Sequence, residues 1–502
     1  PQGRRIDLKV DLPGTERLAA ILFPSLSAME VKRLEAHYDS DRDALLVDVD
    51  LPQLDYGGVV TQGLLLHIDA TGPKLKGQLN VLRVVRDSLH LDDLVLEASN
   101  APGALRTSLR MRDGEVDRYR IGVDLRRQGD VPVLHVQEDL VLDRKAWQAA
   151  AGNALYLDPQ GIRAEEFILS NGAQRVELRT VGDGTHLDIA GFELATVTGL
   201  IRTQDSLAIL RGTLDGTVLL PVNAQQHLNA DLRISGFHLM DVDLGSLSVQ
   251  VKEDATDRYR STLALDAEKN QLSATALADL SHSTPNITLD SDIDLNDLSL
   301  FSPFVKGYLF ELGGALNGPL HYSQISDDVK VRGQVAVTDG RLGLIQTGAV
   351  YRIPNDTVLF DERGLSFTDF ALLDARDNRF LLDGHEITDA PTPELDLRLR
   401  TDRFQLVNST VKDDPTFYGR LFSSIDLHIG GTALTPSIKG SLGVLDSTDL
   451  SIVLPGSRVE LVDHSGIVQF TADLDAEDSL SIRTDGEMLR DSLAAQLPGV
   501  DL

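Results

Sequence analysis

The sequence predicts a mainly β protein: an elongated, repetitive, curved β-sheet (a half-pipe, or β-taco) with an apolar interior and a few short helices. Three observations predict it. Leu, Ile and Val alternate with Asp, Arg, His and Thr almost from end to end, as in LLVDVDL, LLLHIDA, ITLDSDIDL, LDLRLRT and IDLHIGG. Strict alternation sends apolar side chains to one face of a strand and polar ones to the other. Turn sequences such as DG, NG, GG and GDG punctuate these runs, which is hairpin chemistry. The third observation is internal repetition.

In chain order, Thr15 caps an expected short helix through Glu16, Leu18, Ala19 and Leu22, stopped by Pro24. Val47, Val49 and Leu51 then alternate with Asp48 and Asp50, and Leu64, Leu66 and Ile68 with His67 and Asp69. Trp147, the only tryptophan, follows Arg144 and Lys145 and precedes small residues, which marks a rim or turn anchor. Further inward positions fall at Leu187 and Ile189, at Leu228, Leu232 and Ile234, and at Leu263 and Leu265. Ile287, Leu289, Ile293 and Leu295 alternate with Asp290, Asp292 and Asp294. A second short helix, broken at Pro303, is expected within Asp297–Phe310.

Val335 and Val337 are the next inward positions. Leu395, Leu397 and Leu399 follow against Asp396 and Arg398, then Ile425, Leu427 and Ile429 against Asp426 and His428, then Leu442 and Val444. A last helix is expected near Asp485–Leu497. Charges at every other position fix the register, because a one-residue slip drives Asp into the apolar face.

The repeat is specific. Asp158-Pro-Gln-Gly161-Ile162 through Glu166-Phe167 matches Asp361-Glu-Arg-Gly364-Leu365 through Asp369-Phe370, and both continue as F-x-L-x-[N/D] to Asn171 and Asp374. A weaker third copy begins at Asp463. A second pair aligns Gly333, Val335, Val337, Asp339 and Leu342 with Gly440, Leu442, Val444, Asp446 and Leu450; Gly318 and Gly430–Gly431 are expected to supply turns before them. One unit stamped out repeatedly implies stacking in one dimension. About 25–40 strands at ~4.8 Å spacing would span on the order of 100 Å.

Composition excludes several classes. The 77 acidic residues against 47 basic ones give a formal charge of −30, which argues against a nucleic-acid partner. With no cysteine, disulfides, thiolate nucleophiles and Cys-ligated metals are out. Aromatics are only 5%; a large apolar face poor in rings fits flexible acyl chains, and a Leu-rich solenoid core reads the same way. No apolar run reaches the roughly 18 residues of a membrane helix. The chain reads as part of something longer, with any anchor outside it.

No P-loop, G-x-G-x-x-G, G-x-S-x-G or H-E-x-x-H occurs. Asp290-Ser-Asp292-Ile-Asp294 has Leu295 where a calcium loop needs Gly and Phe301 where it needs Glu. His385-Glu386 has no second His four residues on. No metal, cofactor or enzymatic activity is expected.

The segments GYLFELGGALNG…VRGQVAVTDGRLG, DDPTFYGRLFSSIDLHIGGTALTPSIKGSLGVLDSTDLSIVLPG and VELVDHSGIVQF resemble the AsmA-like superfamily, in its translocation-and-assembly (TamB-type) branch of Bacteroidota-type bacteria. Phe417, Tyr418, Gly419, Leu421, Gly431, Pro436, Ile438 and Gly440 carry the most specific part. LFPSL…VDLPQLDYGGV and RKAWQAAAGN…GIRAEEFILSNGAQRVEL are similar to upstream parts, so the resemblance covers most of the chain. It implies a continuous groove over residues 1–475 and an acidic, helical segment over 476–502 leading to a further domain. It also implies a periplasmic protein held in the inner membrane by an N-terminal helix and docked to a TamA-like outer-membrane β-barrel through a C-terminal domain. In this light the inward aliphatics line a path for phospholipid acyl chains between the two membranes. The alternative expectation is an assembly factor for outer-membrane β-barrel or secreted proteins.

Overall fold

The computed structural model describes residues 4–10, 25–86, 89–159, 161–182, 184–200, 209–221, 227–326, 328–361, 364–387 and 393–453. About 76% of these are strand and 3% helix, against an ordinary strand share of roughly 20–25%. They form two antiparallel sheets, of 14 and 20 strands, neither closed into a barrel. The mainly β, repetitive, curved sheet expected from the alternation is what the chain builds. The helices expected at Thr15–Leu22 and Asp485–Leu497, the repeat copy at Asp463 and the acidic segment 476–502 lie outside the described residues. Within Asp297–Phe310, a 3₁₀ turn Leu298–Phe301 leads into the α-helix Ser302–Val305. Pro303 occupies its first turn and does not break it, because no ladder N–H is needed there. Contacts divide the chain into two units, Pro1–Ser291 and Asp292–Leu502, each described by itself.

In the first unit, strands Ala44–Tyr56, Val59–Thr71, Lys74–Arg86, Leu89–Ala101, Ala104–Asp113 and Val116–Gln128 pair each with the next as a meander. Their turns hold the glycines the sequence pattern assigns to hairpins, such as Gly57-Gly58 at φ 59° and 76°. Trp147 marks where the chain changes sheets. Lys145–Ala146 pairs within the first sheet, whereas Gln148–Ala149 pairs with Phe167–Asn171 in the second. The indole is 2% exposed, packed with Met111, Tyr119, Leu140 and Leu142. It is a core residue and not a rim anchor: at a crossing between sheets, the apolar sides of both converge on it.

The first repeat pair is also a structural pair. Asp158 pairs with Gly161, and Asp361 with Gly364, closing equivalent hairpins. Glu166 and Asp369 both adopt left-handed backbone, φ 41° and 49°, and the next residues, Phe167 and Phe370, are both buried. The second pair departs from expectation. Gly318, Gly333, Gly431 and Gly440 lie inside strands, not in turns. At Gly333 and Gly440 (φ 145° and 139°) a Cβ would fall 2.2 and 2.0 Å from a carbonyl oxygen of the adjacent strand. These glycines let neighbouring backbones close in and the sheet curl.

A line of bends crosses each unit. In the first, the ladder skips Pro52, Gly63, Leu82 and Asp93 in four adjacent strands while keeping register on both sides. Gly63 and Asp93 have φ 63° and 49°. In the second, Asp339 (φ 48°) lies opposite Pro354 where the ladder skips, and register shifts around Asp369 (φ 49°). Asp tolerates this backbone better than most residues. In the first unit both partners skip together, whereas at Asp369 one strand carries an extra residue; either way the strand turns and keeps its apolar face, for Leu91 and Leu94 pack on one core and Phe367 and Phe370 on another, though each pair is three apart.

Candidate functional site

Register joins the alternating aliphatics into rows that run across strands. One row of the first unit is Leu34, Val49, Leu66, Leu79, Leu96, Leu109 and Ile121, each paired to the next. Val47 pairs with Ile68 and Leu51 with Leu64 on the same face. Further along, Ile189, Gly216, Leu232, Val249 and Leu263 form a row, as do Ile234, Leu247 and Leu265. Leu187 pairs with Val218. Leu228 precedes its strand and is tied by its N–H to Glu253 Oε2 at 2.9 Å. Ile287, Leu289, Ile293 and Leu295 are half-buried in the strand Asn286–Leu295, whose Asp290, Asp292 and Asp294 are exposed.

In the second unit, Phe367, Gly384, Leu397, Ile429 and Ile438 form one row, and Phe370, Leu382, Leu399, Leu427 and Gly440 the next. Leu395 pairs with Gly431, Ile425 with Leu442 and Ser423 with Val444. Val335 pairs with Val358, and Val337 with Leu316.

Exposure separates these positions. Leu51, Val335, Val337 and Ile425 are buried, and Leu442 and Val444 on the last long strand are 54% and 62% exposed. The remaining lining positions are half-buried. Side-by-side neighbours in one sheet produce that intermediate value; a second layer packed on top would drive it towards zero, as at Phe404 (2%) and Phe422 (0%).

Where the face is sealed, the chain seals it with aromatics. Tyr351, Phe380, Phe404 and Ile425 form one buried cluster, and Val337, Ile353 and Phe370 form a second. The strands Ala349–Asp361 and Glu394–Ser409 are brought together at this end: Asn408 N–H donates to Thr347 O at 2.8 Å and Tyr351 Oη to Leu406 O at 2.7 Å. Arg376 and Arg403 lie 4.8 and 5.1 Å from the Phe422 ring centroid.

At the bends, carboxylates from neighbouring strands accept the amides the ladder leaves free. Gly191 N–H reaches Asp215, Asp369 N–H reaches Asp383, Ala371 N–H reaches Asp356 and Gln405 N–H reaches Asp374, at 2.7–2.9 Å. Asp383 is held below the usual carboxylate range by the Asp369 amide and then by the Arg400 guanidinium. Burial pushes Asp374 up, but the Asn378 side chain and the amides of Arg376, Asn378 and Gln405 outweigh it and hold the group low. Elsewhere the polar face carries cross-strand pairs, such as His67–Asp48 at 2.8 Å and Arg106 on both oxygens of Asp124 at 2.8 and 3.1 Å.

A 400 Å³ cavity beside the first line of bends is lined by Arg83, Asp92, Arg112 and Arg118 among others, and a 360 Å³ one by Asp48, Asp50, His67 and Gln78 among others. Both linings are mixed: Leu82, Met111 and Leu200 share the first with these charged groups, and Val49, Leu65 and Leu66 share the second. Among the described residues no group of three or more His, Asp or Glu could hold a metal, and no helix is long and apolar enough to cross a membrane. The alternation did not reveal the bends. Their signal was an apolar step of three in a period of two, at Leu51–Leu54, Leu91–Leu94 and Phe367–Phe370.

The fold and this face define an antiparallel β-sheet protein with a partly open aliphatic surface. No family model, curated protein or solved structure matches the chain.

Proposed function

We propose that this protein is a non-enzymatic carrier of lipid acyl chains, moving phospholipid between the inner and outer membranes through the periplasm along its aliphatic face. The observation that carries the reading is the half-buried state of in-register rows such as Val49, Leu66 and Leu79. Sheltering hydrocarbon is worth about 0.8 kcal/mol per CH₂, so roughly ten kcal/mol for a sixteen-carbon tail. Repeated shallow rows hold a tail without one deep well, which favours sliding over trapping. On this reading, the protein also contacts the inner membrane and a TamA-like outer-membrane β-barrel.

Leu66→Asp, Leu289→Asp and Leu397→Asp are expected to abolish co-purifying lipid, read by mass spectrometry, and to weaken the outer-membrane barrier at unchanged expression. Wild-type protein free of lipid, or variants with intact lipid loading and barrier, would refute the proposal. The assembly-factor reading has one observation in its favour: Leu442 and Val444 are exposed on Thr435–Val444, the last long strand among those described. Exposed apolar residues this near the end of the sheet, whose described strand order closes on Asp449–Ile452, offer a contact for a client strand. Crosslinks from these residues to unfolded barrel proteins, with no lipid bound, would favour it.

A further inference from the structure

We propose that Arg376, Arg379 and Arg403 form a binding site for a phosphate monoester on the charged face of the second unit. Most described arginines of this chain sit against a carboxylate, as Arg398 does on Asp426, Arg400 on Asp383 and Arg352 on Asp377. These three are exposed, and among the described residues none of them is in an ion pair. In a chain with a formal charge of −30, guanidinium groups gathered without a counter-charge call for an anion from outside.

The fold holds them side by side. The guanidinium carbons of Arg376 and Arg403 lie 4.8 and 5.1 Å from the centroid of one ring, Phe422. The two charges therefore share an aromatic platform and stand within about 10 Å of each other. Phe422 is buried, and its N–H donates to Thr448 Oγ1 at 3.1 Å. Arg403 N–H donates to Thr401 Oγ1 at 3.2 Å, and that hydroxyl donates to Arg379 O at 2.7 Å, joining two of the three backbones. The Asp374 carboxylate accepts from both Arg376 N–H and Gln405 N–H, which ties the turn to the strand that carries Arg403.

Alternation places the site away from the aliphatic rows. Phe380, Phe404 and Ile425 share one buried cluster. Arg379 and Arg403 are each next in sequence to one of its members, and Phe422 is an odd number of residues from Ile425, so all three point to the other face. A ligand there leaves the acyl path clear, and this site and the carrier reading stand or fall separately.

The donors select the ligand. Nearby carboxylates do not serve them: Asp374 is buried on amides, Asp377 is held by Arg352, and the exposed Asp402 and Asp446 pair with none of the three. Arg403 Nη2 donates to Ser447 Oγ at 2.8 Å, and the other guanidinium N–H groups have no acceptor among the described residues. A carboxylate is matched by a single guanidinium fork. A phosphate monoester offers three oxygens and nearly two charges, enough for several forks at once. A soluble phosphate ester and a lipid whose headgroup ends in phosphate both carry that group.

The test uses the full chain, with glycerol 3-phosphate as the soluble probe and phosphatidylcholine vesicles with and without phosphatidic acid as the lipid probe. Wild-type binding should saturate and weaken as salt is raised. Arg376→Gln and Arg403→Gln should each weaken it about tenfold or more. Arg403→Lys, which keeps the charge and loses the fork, should weaken it less. Arg341→Gln, the same charge change at an exposed arginine outside the cluster, should leave it unchanged, with the thermal midpoint confirming that every variant folds. Glycerol 3-phosphate bound with this pattern supports the site with a soluble ligand; phosphatidic acid vesicles bound alone, with the same pattern, support it with a lipid headgroup. No binding of either probe, or equal binding by the wild type and the folded Arg376→Gln and Arg403→Gln variants, overturns it.

Discussion

Asp374 shows what much of the acidity in this chain is for. It is 1% exposed and accepts from the amides of Arg376, Asn378 and Gln405 and from the Asn378 side chain. A formal charge of −30 reads at first as a solvated surface, but Asp215, Asp356, Asp374 and Asp383 each hold an amide beside a place where the ladder skips or shifts. The long-range part of these roles, such as Asp374 with Gln405, is invisible in the sequence, because that partner lies on another strand. Removing Asp374 leaves several buried donors without an acceptor, so Asp374→Ala should cost about 1–3 kcal/mol, read as a fall in urea midpoint. Tyr351→Phe, which loses the bond to Leu406 O and the longer one to Thr347 Oγ1, should cost about 1 kcal/mol. An Asp374→Ala urea midpoint equal to the wild type's would contradict the bonding of Asp374 to these amides.

At the scale of the strand, the period-two pattern predicted which residues share a face, since that is a local property of an extended backbone. Val49–Leu66 and Leu397–Ile429 are cross-strand neighbours on the face the alternation assigned to them. Bends were harder to see. Gly333 and Gly440 look like turn residues in sequence, yet they lie mid-strand where a neighbouring carbonyl excludes any side chain. Gly440→Ala should therefore destabilise by about 1–3 kcal/mol. Gly172, in a true hairpin turn at φ 58° with nothing within 4 Å of its Cβ position, should accept Asn with little change in thermal midpoint. A tolerant Gly440 would mean that the backbone there is not constrained as described.

For the molecule as a whole, the depressed carboxylates set a direction for pH dependence. Asp124, held low by Arg106, and Asp374 and Asp383, held low by amides and partners, all titrate below their ordinary range in the folded state. The unfolded chain binds protons first as pH falls, so their contribution is complete above about pH 4–5 and drains as pH drops through the lower folded values. Thermal midpoints should be level from about pH 7 to 5 and fall below about pH 4. Asp383→Asn should flatten part of that fall; an unchanged slope would remove Asp383 from the account.

The sequence by itself determined the β class, the hairpin turns, the register and the division of each strand into an apolar and a charged face, because alternation and turn chemistry act over a few residues. Only the tertiary structure decided where the sheet bends and which stretches of the apolar face are closed. Those outcomes depend on groups far apart along the chain, such as Thr347 with Asn408 and Tyr351 with Leu406. The same aliphatic pattern is half-open at Leu397 and buried at Val337. The difference lies in what the curled sheet brings over each, which no local repeat encodes.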